Sequence, residues 1–382
     1  MALPKKFKFA PLTNQKNTLI RHKSLTTILV LLFMGQPLSQ DLIAETLSKW
    51  TDNLSLDGRV QPRYEFTDSS GTKENNSSFY LRRVRLNVTG EVTESVSFRF
   101  MPELAREASM RDVWVNIAFS DQAQLRMGQF PLPFHWHRYV SSSMQHFVER
   151  GVPSLQLAYP TGYDKGLMLH GKASNESFEY EVGVFDGGGR NTKFSPSDGH
   201  VFSGRLTSAI IGELPNSEGE IYRSEFPNLA LAGGIQGGNK NEGRDWDLQN
   251  IGGGHERADF LSFTADFHFQ YQGFSLASDF YQRFVDPEDP AIDAFEGRGY
   301  MVTAGITILP GALEAVGRFS ELHLDNDLSD SHRQEWGGGL NIYHDDHDLK
   351  THVQYLRDGQ AGPQVEGFEW TGSFIVQHHI LF

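Results

Sequence analysis

The chain has 382 residues, 38 glycines, no cysteine and a formal net charge of −14. The missing cysteines exclude a disulfide framework and thiolate metal sites, and the acidic balance argues against nucleic acid as a partner. Mean hydropathy is −0.42, and no apolar run approaches the roughly 20 residues of a spanning helix, which excludes a helical membrane protein.

The N-terminus reads as an export signal. Lys5, Lys6, Lys8, Lys16, Arg21 and Lys23 precede an apolar segment over 25–34 that is too short for a stop-transfer helix. Cleavage is expected between Gly35 and Ala44. That gives a signal peptide over about residues 1–40, a short periplasmic segment over 41–55 and one domain over 56–382. The six basic residues before position 41, taken from the 34 Lys and Arg, leave 28 against 48 Asp and Glu. This negative balance helps keep an exported chain soluble in transit.

Beyond the signal, apolar residues recur with period two in segments bounded by Gly, Asn, Asp, Ser or Pro. Sixteen such strands are expected, at 56–66, 79–89, 95–104, 110–119, 123–130, 164–172, 177–186, 200–210, 228–237, 258–270, 273–285, 299–309, 312–323, 333–344, 348–357 and 368–382. Links after even-numbered strands are mostly short, such as 271–272 and 310–311. Links after odd-numbered strands are mostly longer and polar, such as 187–199 and 239–257. One link breaks the rule: 211–227 follows an even strand and is long. Even count and two-sided asymmetry predict an all-β fold, a 16-stranded antiparallel transmembrane β-barrel with short periplasmic turns and long external loops. Hydrocarbon forbids an open sheet edge, so the strands must close.

One parity is uncharged and faces lipid: Val84, Leu86 and Val88; Val113, Val115 and Ile117; Phe263, Phe267 and Phe269; Leu340 and Ile342, among others. Tyr80, Phe119, Trp336 and Tyr355 are expected in an interfacial aromatic girdle. The chain ends on the same stripe, with Phe374, Val376, Ile380 and Phe382 on one face and Ser373, Gln377 and His379 on the other, broken by His378.

The opposite parity is expected to line the lumen. It carries Arg59, Arg63, Arg83, Arg85, Arg99, Arg126, Arg205, Arg283, Arg318 and Lys350. Guanidinium is permanently charged and offers a planar fork of donors to oxyanions. Arg63, Arg83, Arg85, Arg99, Arg126, Arg205 and Arg318 are the candidate anion-facing residues. Glu65, Glu103, Asp112, Glu179, Glu181, Asp266, Asp279 and Glu314 share the lumen, and such screening favours a general wet pore as the alternative. The longest link, 131–163, is the third on the long-loop side and is rich in rings. It is expected to fold inward as a constriction, with Phe134, Trp136, Arg138, Glu149 and Arg150 as its marked residues.

These residues carry a family resemblance. Tyr80-Leu81-Arg82-Arg83-Val84-Arg85-Leu86, Arg111-Asp112-Val113-Trp114-Val115, and Gly128-Gln129-Phe130 leading to Ser141-Ser142-Ser143, Phe147, Glu149-Arg150 and Pro153 resemble the phosphate-selective porin O and P family. So do Gly183–Gly187, Gly317–Ser320 and Gly339–Tyr343. The resemblance implies a sixteen-stranded, homotrimeric barrel with an inward-folded third loop, set in the outer-membrane lipid of a Gram-negative bacterium and passing phosphate or polyphosphate. The chain departs from the family pattern at Pro131 and Leu132, where a basic residue is common. Its third loop has no lysine before Lys165, so a family lysine cluster does not carry over.

Other chemistry is weaker. His344 and His347 bracket two aspartates but suit a solvated turn, and adjacent His378 and His379 point to opposite faces. Gly187–Gly189, Gly252–Gly254 and Gly337–Gly339 precede no strand-to-helix unit, so no nucleotide site follows. No cofactor, metal or catalytic residue is expected. Ser141–Ser143 with His146 is too common a pairing to argue for a barrel enzyme. The expected function is passive diffusion of small anionic solutes; a structural or adhesive barrel is the remaining alternative.

Overall fold

The computed structural model describes residues 53–69, 76–105, 107–157, 162–173, 177–192, 199–241, 257–288, 290–291, 293–325, 331–361 and 367–382. The expected signal peptide, nearly all of the 41–55 segment, Tyr159 and parts of several long loops lie outside these residues. Among the described residues the chain makes sixteen strands. They are β1 (Leu54–Ser69), β2 (Asn76–Thr93), β3 (Val96–Glu103), β4 (Ser109–Ser120), β5 (Ala123–Pro131), β6 (Tyr163–Lys172), β7 (Phe178–Phe185) and β8 (Val201–Ile211). The second half adds β9 (Asn228–Asn241), β10 (Arg257–Tyr271), β11 (Phe274–Pro287), β12 (Phe295–Leu309), β13 (Leu313–Asp325), β14 (Ser331–Asp345), β15 (Leu349–Ala361) and β16 (Glu369–Leu381). Each expected strand is present in its expected place.

Neighbours in sequence pair antiparallel all round, and β16 returns to β1, so the sheet is a closed barrel. At the seam Gly58 and Phe382 exchange both backbone hydrogen bonds, at 2.7 and 3.0 Å. Gln377 and His379 are buried inside, whereas Phe374 and Phe382 are exposed outside. Leu86, Phe100, Val115, Phe263, Ile306 and Leu340 are exposed on the outer face. Apolar exposure of this extent fits a wall wetted by lipid.

Among the described residues seven strand pairings carry a register shift, and two of these bulges bear on the arginine-rich strands. Between β1 and β2, Gln61 opposes Arg83 and Pro62 opposes Leu81, leaving Arg82 as the extra residue. Between β3 and β4, Met101 opposes Asp112 and Pro102 opposes Met110, leaving Arg111 as the extra residue. Proline cannot donate to a ladder and is confined to edges and bulges, and each bulge resets which side the following residues face. Tyr80, expected in the outer girdle, is therefore corrected. Its hydroxyl contacts the inward Arg63 and Glu65, and Phe79, 83% exposed, takes the outer face instead.

The inner face also departs from expectation, because much of it does not line water. Residues 132–157 enter the barrel and carry two short helices, α1 (Trp136–Tyr139) and α2 (Val152–Gln156). Phe134, Val152 and Leu157 of this segment pack on Tyr281 of β11 and on Leu322 and Leu324 of β13. Phe147 and Val148 pack on Val316 of β13, Leu356 of β15 and Ile375 of β16. Glycines let the segment approach the wall. A Cβ at Gly299 would lie 2.8 Å from that of Pro153, and one at Gly234 would overlap the Phe134 carbonyl.

Candidate functional site: the arginine wall and the inward loop

Glu149 of the inward loop is a node for three arginines. Arg63 Nη2 donates to its Oε1 at 2.7 Å, Arg82 Nε at 2.5 Å, and Arg83 Nη2 donates to Oε2 at 3.3 Å. Burial alone would raise this carboxyl, but Arg83, Arg82 and Arg63 hold it well below the ordinary carboxylate range. Its backbone carbonyl accepts from Arg318 Nη1 at 2.6 Å. The β2 bulge makes this possible, since strict alternation would send Arg82 outward and only Arg83 inward.

Next to this node lies a cluster with far less compensation. Arg85 Nε donates to Glu103 at 2.5 Å, and Arg99 Nε to Asn87 at 2.7 Å. The Arg111 guanidinium lies 4.6 Å from the Tyr163 ring centre, and that of Arg126 lies 4.6 Å from the Trp114 ring. Arg59 reaches Ser141 Oγ at 2.9 Å, and Arg150 Nε reaches the His137 carbonyl at 2.5 Å. Gly162, at φ +61°, leaves room for the Arg138 guanidinium. Burial, then the charges of Arg138, Arg111 and Arg85, bring Arg150 down to about 9. Burial chiefly, with Arg111 adding to it, brings Arg138 to about 10. Arg190 is lowered by burial and by Arg111. All remain cationic at neutral pH, so the β2–β5 wall and the loop facing it hold concentrated positive charge. The buried Nε donors of Arg111, Arg126 and Arg138 have no hydrogen-bond partner among the described residues.

A second segment enters from the opposite rim. Residues 212–227, the long link that breaks the alternation, turn inward and meet the first loop. Gln270 Nε2 donates to the carbonyls of Ser217, Glu218 and Gly219 at 2.8 to 3.2 Å, and Thr307 Oγ1 donates to that of Glu220 at 2.6 Å. The Glu218 amide donates to the Met144 carbonyl at 2.9 Å, and its carboxylate pairs with His137 and accepts from the His146 amide. His137 Nδ1 lies 2.8 Å from Asp279, and His146 Nε2 lies 3.2 Å from Glu314. Burial disfavours an imidazolium here, but Asp279 and Glu218 overcome it and raise His137 to about 10. The two segments are thus latched to each other and to β11 and β13.

The sequence-predicted residues fall into two groups. Arg63, Arg83, Arg85, Arg99, Arg126, Arg138, Glu149 and Arg150 come together on the β1–β5 side. Arg205 and Arg318, expected with them, are buried under the loop. Arg205 donates to the Phe134 carbonyl at 3.0 Å and pairs with Asp266; Arg318 pairs with Glu335 at 2.8 Å and lies 4.4 Å from the Phe147 ring. Phe134 and Trp136 are buried, and Trp136 stacks on His268 with ring centres 4.0 Å apart. Sequence reasoning left out Arg82, Arg111, Arg190 and Glu218. Pro62 and Pro102 are the signal for the first two, since proline inside a strand marks a bulge in the pairing.

A closed sixteen-stranded barrel narrowed by an inward loop is the architecture of outer-membrane porins. The phosphate-selective porin O and P profile matches residues 54–361, and the chain belongs to that family. It is 23% identical over 353 residues to an uncharacterized protein of Aquifex aeolicus (strain VF5), covering 80% of this chain and 82% of that one. An anion-selective porin from Comamonas acidovorans superposes with a TM-score of 0.62 at 12% identity, covering 86% of this chain and 99% of that one. The outer membrane channel DcaP of Acinetobacter baumannii does so with a TM-score of 0.55 at 9% identity, covering 86% and 97%. Family and fold place the protein in the Gram-negative outer membrane as a channel.

Proposed function

We propose that the channel passes small oxyanions, phosphate or polyphosphate among them, in preference to cations, by passive diffusion and without catalysis. One observation carries this reading: burial and the like charges of Arg111 and Arg85 lower Arg138 and Arg150 on the inward loop, and nearby Nε donors have no hydrogen-bond partner among the described residues. An oxyanion with several acceptors satisfies such donors bidentately. Arg59, Arg99 and Arg126 extend the series, so that an ion can be handed on rather than trapped. The inward loop narrows the passage against this wall. Family membership and the anion-selective neighbour support the reading, and family membership also supports a homotrimer.

A second reading rests on Glu149, whose one negative charge is shared by three arginines, and on β7. There Glu179 and Glu181, with Trp136 and Tyr139, line a cavity of about 260 Å³. Acidic groups at the passage would make a general diffusion pore. Single-channel chloride conductance in a planar bilayer, measured as phosphate is added, separates the two. Conductance that falls as phosphate binds supports the oxyanion channel. Conductance indifferent to phosphate supports the general pore, and a silent bilayer supports an adhesive or structural barrel.

A further inference from the structure

Among the described residues, one cluster of metal-ligating side chains stands apart from the channel. It lies on the outer face of β13 and β14, at the rim where residues 326–330 join them. In the antiparallel register His323 opposes His332 and Glu321 opposes Gln334. Residues two apart on a strand share a face, so all four side chains form one square patch. Phe319 and Trp336, opposed and exposed on the same face, lie one step further from the rim. The patch therefore begins where the aromatic band ends.

The geometry converges on one oxygen. Glu321 Oε1 lies 2.6 Å from His332 Nε2, 3.3 Å from His323 Nε2 and 3.0 Å from Gln334 Nε2. The two imidazoles stack with centres 3.9 Å apart, which aims both Nε2 atoms the same way. Glu321 Oε2 is held by the Tyr300 hydroxyl at 2.5 Å. The three ligand atoms lie within 4.8 Å of one another, and each side chain is only partly buried. In a tetrahedral zinc site, ligands about 2.1 Å from the ion lie about 3.4 Å from each other. The Glu321–His323 pair at 3.3 Å already has that spacing, the Glu321–His332 pair at 2.6 Å must open by about 0.8 Å, and no pair exceeds 4.8 Å.

We propose that Glu321, His323 and His332 form a binding site for a borderline divalent transition ion, Zn²⁺, Cu²⁺ or Ni²⁺. Two imidazoles and a carboxylate suit this class and not Ca²⁺ or Mg²⁺, which prefer all-oxygen shells. The ion takes the place of the Nε2 protons that point at Oε1: an imidazolium releases that proton to solvent, and a neutral ring moves it through solvent to Nδ1, so that each ring ligates as neutral imidazole. Tyr300 and Gln334 orient the carboxylate, as outer partners of metal ligands do. Three protein ligands leave a fourth position open to water or to an external donor. The site is independent of conduction, because its side chains face away from the lumen.

The full chain, folded in detergent and stripped with a chelator, is dialysed against Zn²⁺. Wild type is expected to retain one more ion per chain than His323→Ala/His332→Ala. Glu321→Gln is expected to weaken binding at least tenfold. Cu²⁺ loaded at the same site should show electron-paramagnetic coupling to two nitrogens, lost in the double variant. His344 and His378, which flank Thr351 on another patch, serve as the control. Their joint replacement by alanine should leave the extra ion in place. Heat-modifiable gel migration verifies that each barrel is folded, and His332→Gln keeps the hydrogen bond to Glu321 should alanine impair folding. Equal zinc in wild type and double variant, or copper with no coupling to two nitrogens, overturns the proposal.

Discussion

The β1–β5 wall and the β9–β15 wall carry the same residue types inside, and they use them differently. On β9–β15, inward charges meet partners from the loops. Asp279 meets His137, Glu314 meets His146, and Arg318 meets the Glu149 carbonyl. Tyr281, Leu322 and Leu356 then cover the apolar side of the inward loop. On β1–β5 the arginines outnumber their partners, and aromatic faces stand in for carboxylates at Arg111 and Arg126. An inward charge is therefore a poor guide to the passage by itself; what matters is whether the loop has already satisfied it. A paired, buried guanidinium anchors, and one left beside like charges attracts an anion.

The largest expected effect tests the anchored side. His137 is raised from 6.5 to about 10, so its charge stabilises the latch fully below pH 6.5 and progressively less as pH rises to about 10. On the order of 5 kcal/mol is lost across that window. Hydrogen-exchange protection of residues 132–157 should fall between those pH values, and fall over a lower and narrower range in Glu218→Gln, which leaves Asp279 as the only carboxylate on His137. Protection independent of pH in the wild type would break the latch.

Glu149→Gln comes next. It leaves Arg63, Arg82 and Arg83 without their shared carboxylate, at a cost of about 3 kcal/mol, the low end for a buried pair because Glu149 keeps some solvent contact. Thermal stability should fall while anion preference rises, since three guanidiniums are released toward the passage. An unchanged anion preference instead would place the node outside the ion's path.

Arg111→Gln with Arg138→Gln tests the attracting side. A charge about 5 Å from a passing monovalent ion contributes about 0.8 kcal/mol even at the dielectric of water, or about fourfold in permeability. Removing both should lower the anion-to-cation ratio more than tenfold. The smallest effect on selectivity is expected for Arg318→Gln, below about twofold, because the loop covers it. A larger change there would mean the two walls do not differ as described.

Much of this was legible in the sequence. Period two, turn residues and alternating link lengths gave the strand count, the order and the closed ring, because a wall between lipid and water leaves little freedom in its pattern. The inward third loop was visible as a long, ring-rich insertion. The miss at Arg82 and Arg111 has one cause: counting by parity assumes unbroken alternation, and Pro62 and Pro102 break it on the facing strands. The role of 212–227 was hidden differently. Its contacts to Met144, His137 and Gln270 span 51 to 81 residues and leave no periodic trace. Arg205 and Arg318 share the parity of Arg83 and Arg85, and only the course of the loop separates them.

The central claim is that the arginines left uncovered on the β1–β5 side set the sign of ion selectivity. Reversal potentials of wild type, Arg111→Gln/Arg138→Gln and Arg318→Gln in one salt gradient test it most directly. Wild type and Arg318→Gln should sit together on the anion-selective side, with the double variant displaced toward cations. Coincidence of all three, or displacement of Arg318→Gln alone, would contradict it.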